Sequence, residues 1–309
     1  MEELQSRNIT YGNVRDEKET SELWKLYEAV CNYPKEAYHG LLVEKKSAVF
    51  LYHLAAMRRQ LLEWFSFQGT ERILELGAGA GALTELLAER GFLVDAVEPS
   101  EILAKCNAKR NASFSNLRIF AGCLECAHKE WEVLEEGSYD VVVLANSLTD
   151  ASYLMGRAAT QAEVLNLALR YLKQGGQLIL SIENRMGLKY WAGCKDEATG
   201  TYFGGIEGEK DKTLASGRTK RELEELLCDA GLREYRFYYP YPDAQFPTMI
   251  YSDEYLPKEG ELRTNLRNYD ADRYLLFDER KVFDTLLREN RYPEYANAFL
   301  VIAAKGKIR

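Results

Sequence analysis

From Arg72 onward, short apolar runs alternate with stretches of helical period, and that alternation organises the reading of the chain. Strands are expected over Arg72–Leu76, Leu93–Val97, Leu117–Ala121 and Tyr139–Ala145, the last with the uninterrupted run Val141-Val142-Val143-Leu144. A strand buried on both faces has no polar face to alternate with, so it reads as such a run. Helices are expected over Leu83–Glu89 and Glu101–Arg110. Thr160-Gln161-Ala162-Glu163 has the form of a capping box, and the helix it opens is expected to stop at Gly175-Gly176. A fifth strand, Gln177–Ile182, follows. Thr219-Lys220-Arg221-Glu222 is a second capping box, whose helix ends at Gly231, before a sixth strand over Leu232–Tyr239. A helix over Asp278–Glu289 and a strand over Ala298–Ala304 complete the pattern. Repeated strand–helix alternation predicts an α/β fold with a mostly parallel sheet and helices on both faces.

Two helices precede the first strand. Glu19–Val30 is followed by a break at Asn32-Tyr33-Pro34. Glu44–Phe65 is read as one longer helix, with Val49, Leu51, Leu54, Met57, Leu61, Leu62 and Trp64 at mixed three- and four-residue spacing. Residues 1–68 are therefore set apart as an N-terminal helical extension, and 69–309 as the main domain. Two substrate-side insertions are expected in it, at about 183–218 and 241–295. Glu183–Lys212 carries six glycines, and Tyr241–Tyr269 is rich in proline and aromatic residues and is expected to be irregular.

Composition narrows the function. The 309 residues carry a net charge of −8, without the basic surplus of a general polyanion binder, so no nucleic-acid partner is expected. No apolar run is long enough to span a bilayer, and Met1–Asp16 lacks the apolar stretch of a signal peptide. A cytoplasmic protein without membrane insertion is expected. The six cysteines are scattered. Cys123-Leu124-Glu125-Cys126 is a lone CxxC without a second CxxC or a spaced histidine pair, so no metal site is expected. The pair is read as two reduced thiols at a strand end.

The strongest local signal is Ile73-Leu74-Glu75-Leu76-Gly77-Ala78-Gly79-Ala80-Gly81, an apolar strand running into a glycine turn that opens a helix. Glycines let the backbone turn sharply and let a ligand approach without a Cβ in the way. Gly77, Gly79 and Ala82, with Glu98 after the second strand, nearly satisfy the dinucleotide pattern G-x-G-x-x-G/A. Glu75 points elsewhere. An acid two residues before the first glycine can face an ammonium but would repel a pyrophosphate, and S-adenosylmethionine has the one and lacks the other. Glu98, followed by Pro99, is placed to accept hydrogen bonds from both ribose hydroxyls.

With acid-x-G-x-G-x-G complete as Glu75, Gly77, Gly79 and Gly81, the chain resembles class I S-adenosylmethionine-dependent methyltransferases. Three further stretches resemble a bacterial branch of them found beside glycosyltransferases in cell-surface polysaccharide pathways. These are Tyr52-His53-Leu54-Ala55-Ala56-Met57-Arg58, Ile182-Glu183-Asn184-Arg185-Met186-Gly187-Leu188-Lys189-Tyr190 and Tyr239-Pro240-Tyr241-Pro242-Asp243. The resemblance implies a Rossmann-like, seven-stranded, mostly parallel sheet and S-adenosylmethionine as cofactor. It places Gly122, Cys123, Leu124 and Glu125 near the adenine. It places Ala145, Asn146, Ser147 and Leu148 along the methionine moiety. Arg58 either pairs with the cofactor carboxylate or is a charge on a helix surface.

The acceptor side is expected to come from Asn184, Tyr241 and Asp243, with Asp243 as base and Tyr241 as hydrogen-bonding partner. Tyr241-Pro242-Asp243 also reads as a plain turn. Of the three histidines, His53 is on the helix that should abut the cofactor, and packing is its favoured role. The leading expectation is methyl transfer to an oxygen of a glycan or other small acceptor. The alternatives are O-methylation of a peptide carboxylate or side chain, a non-catalytic cofactor-binding partner subunit, and a nicotinamide-dependent oxidoreductase.

Overall fold

The apolar runs after Arg72 become strands, with the expected bounds at Arg72–Leu76, Leu117–Ala121, Tyr139–Ala145 and Ala298–Ala304, whereas the fifth begins earlier, at Leu172, and the sixth is shifted to Glu234–Tyr241. The computed structural model describes residues 9–12, 20–196, 199–208, 217–264 and 273–306. Its strands are β1 (Ile9–Tyr11), β2 (Arg72–Leu76), β3 (Leu93–Glu98), β4 (Leu117–Ala121), β5 (Tyr139–Ala145), β6 (Leu172–Glu183), β7 (Glu234–Tyr241), β8 (Met249–Ser252) and β9 (Ala298–Ala304). The class is the expected Rossmann-like α/β fold with a mixed sheet flanked by helices. Beyond the seven anticipated strands, β1 and β8 are added. Both are edge strands of three and four residues, too short to show a period.

The chain divides into two compact units. The first comprises Met1–Val143, Tyr153–Ala158 and Ala168–Lys173, and the second Leu144–Ser152, Ala159–Leu167 and Gln174–Arg309. In the first the strands run in the order β1-β4-β3-β2-β5 with parallel neighbours. The register pairs Leu76 with Val97 and Glu98 with Ala121. Gly77, Pro99 and Gly122 therefore leave the sheet side by side, at the carboxyl ends where an open α/β sheet takes its ligands.

Ile73, Leu74, Leu76, Val94, Ala96, Val97 and Ile119 are buried on these strands, which explains their unalternating pattern. Asp95 is a polar exception in the middle of β3. It is fully buried, and accepts from Arg118 Nε at 2.6 Å, Arg118 Nη2 at 2.8 Å and the Tyr139 hydroxyl at 2.6 Å. Burial, and then the Asp95 charge, push the Tyr139 phenol upward, so it stays a donor. The hub ties β3 to β4 and β5 near their amino ends, away from the glycine turn.

The helix expected over Glu44–Phe65 is not continuous. Helices run over Tyr38–Lys45 and Ala48–Leu54, followed by a 3-10 stretch over Ala56–Leu61. Lys46 takes a left-handed conformation (φ 48°), and the Ser47 hydroxyl then accepts from Phe50 N, capping the next helix. Ala55 is extended (ψ 124°) and ends that helix. The breaks carry no glycine or proline to stop a helix, and the boundary signal at the first is Ser47, an N-cap residue type. With Ser21–Asn32, these helices form one core cluster with Ala80 of the glycine turn and Ile102, Leu103 and Cys106 of the helix Glu101–Arg110.

In the second unit the order is β6-β9-β7-β8 with antiparallel neighbours. Strand β9 is buried along its whole length. The helix Gln161–Tyr171 stops four residues before Gly175, and that glycine lies instead inside β6 (φ 80°), its N–H donated to Lys305 O at 2.7 Å. The capping box at Thr219 forms in both directions with Glu222. Among the described residues no helix is long and apolar enough to cross a membrane.

Candidate functional site

Strand β2 delivers Glu75 into the core and then turns through three left-handed glycines, Gly77 (φ 76°), Gly79 (φ 55°) and Gly81 (φ 83°). A Cβ on Gly81 would collide with the amides of Asn107 and Asn111. A Cβ on Gly79 would meet only the His53 ring, at 3.6 Å. Gly81 is thus required by the fold, whereas Gly79 borders the open side of the turn. Gly77 and Ala78 donate their N–H groups to Val97 O at 2.9 and 3.2 Å, which locks the turn onto β3.

Glu75 lies at the end of a buried polar chain. Thr84 Oγ1 donates to Glu75 Oε2 at 2.5 Å, Asn107 Nδ2 to Thr84 Oγ1 at 2.9 Å, and Asn111 Nδ2 to Asn107 Oδ1 at 2.9 Å and to Gly81 O at 3.1 Å. Desolvation pushes the Glu75 carboxyl up to about 8, against the Thr84 hydrogen bond and the Arg58 charge, which pull it down. Nothing in the motif singles out Thr84, Asn107 or Asn111, although the two asparagines share a helix face at i,i+4.

Arg58 is nine-tenths buried, its guanidinium 3.9 Å from the centroid of the Tyr52 ring. Its Nη1 has no hydrogen-bond partner. This excludes the helix-surface reading. A buried guanidinium without a full set of acceptors is costly, and an incoming anion removes the cost. Burial, then the charges of Arg58 and Arg110, push the His53 imidazole down to about 3, so it is neutral. Its ring is packed against Gly79, so the expected packing role places it on the glycine turn itself.

Glu98 ends β3 almost wholly buried, at 1% exposure. Its Oε2 accepts from Gly79 N at 2.7 Å, and its Oε1 from Ser100 N at 2.9 Å and from the Tyr153 hydroxyl. Pro99 connects it to Ser100, which caps the helix Glu101–Arg110. At the end of β4, Cys123 caps the short helix Leu124–Glu130. Leu124 lies wholly inside the core. Cys123 and Cys126 form a disulfide, with Cα atoms 5.1 Å apart, which corrects the expectation of two reduced thiols. The first helical turn brings positions i and i+3 within disulfide reach.

The remaining sequence candidates lie in the second unit. Asn146 is held left-handed (φ 62°) by Ser181: its N–H donates to Ser181 Oγ at 2.9 Å, and Ser181 Oγ donates to Asn146 Oδ1 at 3.0 Å. Asn146 Nδ2 is buried without a partner. Asn184 Nδ2 donates to Glu294 O and Ala296 O at 2.8 and 2.7 Å. The Tyr241 hydroxyl donates to Thr264 O at 2.5 Å, and burial pushes its phenol upward. Asp243 Oδ1 accepts from Gln245 N at 2.8 Å and Phe246 N at 2.7 Å, which is the geometry of a side-chain-stabilised turn. Asn297 ties Asn184 to the Tyr241-Pro242-Asp243 turn through Pro242: its O accepts from Asn184 N at 2.9 Å, its Nδ2 donates to Pro242 O at 3.0 Å, and its Oδ1 accepts from Lys189 N at 3.0 Å. No motif marked Asn297. Among the described residues no group of three or more His, Cys, Asp or Glu side chains is placed to hold a metal ion.

A family model described as a methyltransferase domain matches residues 50–234, more than half of the chain. A search of curated proteins finds no match. Among solved structures, the chain is similar to a Thermotoga maritima S-adenosylmethionine-dependent methyltransferase described as a possible histamine N-methyltransferase. The TM-score is 0.49 at 17% identity, over 92% of this chain and 99% of that one. It is also similar to an S-adenosylmethionine-dependent methyltransferase from Archaeoglobus fulgidus, with TM-score 0.46 at 17% identity over 91% and 99%. A third is Haemonchus contortus phosphoethanolamine N-methyltransferase 2 in complex with S-adenosyl-L-methionine, with TM-score 0.49 at 14% identity over 91% and 60%.

Proposed function

The chain belongs to the methyltransferase-domain family and is an S-adenosylmethionine-dependent methyltransferase; from that premise we propose that it methylates an oxygen of a glycan or of another small acceptor. The nicotinamide reading of the glycine turn falls with that membership.

The single observation that carries the cofactor assignment is the buried, unpartnered Nη1 of Arg58 beside Glu75 and the glycine turn. A buried cation and a carboxyl that ionises when an ammonium arrives suit an amino-acid end that carries both a carboxylate and an ammonium. Arg58 would take the carboxylate and Glu75 the ammonium. Gly77, Ala78, Gly79 and Gly81 would give the close backbone approach, and Glu98 with Pro99 the ribose. Cys123 would border the base, with Leu124 as core support behind it. Bound there, S-adenosylmethionine supplies an electrophilic methyl on a sulfonium. The protein's part is to orient the acceptor and exclude water.

A pH dependence follows from Glu75. Its carboxyl, raised to about 8, holds a proton at neutral pH, and a neighbouring ammonium favours the ionised form. Binding therefore releases a proton below that value, and affinity must rise with pH. The Kd for S-adenosylhomocysteine should fall as pH goes from about 6 to about 8, by up to roughly tenfold per unit, and then level off. The slope should vanish in Glu75→Gln. A flat wild-type profile across that window would contradict the pairing of Glu75 with the ammonium.

Support for a glycan acceptor comes from the resemblance of Ile182–Tyr190 and Tyr239–Asp243 to the polysaccharide-associated branch, and from the aromatic run around β7. In that run Phe237, Tyr239 and Tyr241 are core, while Tyr235 and Tyr238 are half-buried and Tyr255 is exposed. Partly exposed phenol rings suit contact with a sugar. Asn184, Tyr241 and Asp243 are assigned positioning roles, since each already holds a loop in place, and Asp243 is not retained as the base. The test is transfer of labelled methyl to oligosaccharide and peptide panels. A methyl ether resists mild alkali, whereas a methyl ester is cleaved by it. Alkali-stable label on an oligosaccharide is expected. Label confined to peptides and released by alkali would contradict the reading.

A further inference from the structure

We infer that Tyr153 is a positioning residue for the cofactor ribose, its hydroxyl standing on Glu98 in the place of a ribose hydroxyl. The inference rests on the reading that Glu98 receives the ribose.

A carboxylate offers about four acceptor positions, two per oxygen. At least three on Glu98 are engaged, by Gly79 N, Ser100 N and the Tyr153 hydroxyl. A ribose diol brings two more donors. At least five donors for four positions leave at least one displaced, and these three are not equally movable. Gly79 N–H is fixed by the left-handed turn that Gly77 and Ala78 lock onto β3. Ser100 N–H is fixed at the cap of the helix Glu101–Arg110. Only the phenol can step aside by rotation of a side chain.

The backbone carrying Tyr153 stays close while it does so. Tyr153 belongs to the short helix Ala151–Met155. Three residues on, Gly156 (φ 74°) packs so tightly on Cys123 that a Cβ there would come within 2.7 Å of the cysteine Cβ. Arg157 Nε pairs with Glu125 at 2.6 Å. The segment is thus tied to the end of β4, beside the end of β3. Glu98 is almost fully buried, and a buried carboxylate with an unfilled acceptor position is costly. A tethered phenol keeps Glu98 satisfied and yields its position to a better-placed hydroxyl.

The count has an unusual consequence: removing the Tyr153 hydroxyl removes a competitor. S-adenosylhomocysteine and its 2′-deoxy analogue are titrated calorimetrically into wild type, Tyr153→Phe and Glu98→Gln, with thermal melts of each protein stripped of cofactor. Glu98→Gln should bind S-adenosylhomocysteine about 10- to 100-fold more weakly, the size of hydrogen bonds to a charged group. Tyr153→Phe should bind it about 2- to 10-fold more tightly, the size of one net hydrogen bond, while its stripped form melts lower. In wild type, loss of the 2′-hydroxyl should cost less than about twofold, because Tyr153 keeps the position. In Tyr153→Phe the full hydrogen-bond cost should reappear. A merely structural tyrosine predicts unchanged or weaker binding by Tyr153→Phe, and that result overturns the inference. If that variant does not fold, a full 2′-hydroxyl penalty in wild type overturns it equally. Wild-type affinity in Glu98→Gln would instead defeat the ribose reading itself, and the role of Tyr153 with it.

Discussion

Gly79→Val should lose S-adenosylhomocysteine binding, by more than about a hundredfold, in a protein that remains folded. Two effects act together. Gly79 sits at φ 55°, a conformation that a β-branched residue rarely adopts. Its Cα also faces the open side of the turn, where the only neighbour of a Cβ is the His53 ring at 3.6 Å. The added isopropyl group would stand where the cofactor has to approach. Because no buried group obstructs it, the sheet and its core should survive. Gly81→Val makes the contrast: there the side chain would strike Asn107 and Asn111, the amides that support Thr84 and hence Glu75. That variant should lose stability and binding together. Far-ultraviolet circular dichroism and calorimetry on both proteins separate the cases. A folded Gly79→Val with wild-type affinity would remove the turn from the cofactor site.

The first unit was the more legible part. The run from Ile73 to Gly81 declares its conformation in its composition, since three alternating glycines have little reason to follow a buried strand except to turn and admit a ligand. Glu98 could be placed because the spacing between two parallel strands fixes which residue ends the second. The long helix over Glu44–Phe65 could not be corrected from sequence. Its interruptions at Lys46 and Ala55 fall between helices that share one core cluster with Ala80 and the helix Glu101–Arg110, and neither Lys46 nor Ala55 is a helix-breaking residue type. Yet those interruptions set Arg58 against Tyr52 and the His53 ring over Gly79.

Tyr153 was invisible for a different reason. Its hydroxyl meets Glu98 across 55 residues of sequence, and nothing around it forms a motif. In the second unit the sequence offered two readings of Tyr241-Pro242-Asp243, a base with its hydrogen-bonding partner or a plain turn. Asp243, expected as a base, spends Oδ1 on two backbone N–H groups, so the turn reading of Tyr241-Pro242-Asp243 accounts for it. Asn297, which ties that turn to Asn184, immediately precedes the uniformly buried strand β9, where a polar residue reads only as a boundary.

The central claim is that the acid-x-G-x-G-x-G turn, closed by Arg58 and Glu98, takes the amino-acid end and ribose of S-adenosylmethionine and has no place for a pyrophosphate. Isothermal titration of the wild-type protein, with S-adenosylhomocysteine and NAD in parallel, tests it most directly. The account predicts a micromolar Kd for S-adenosylhomocysteine, about −8 kcal/mol, and no saturable heat with NAD at the same concentrations. Tight NAD binding with no response to S-adenosylhomocysteine would contradict it.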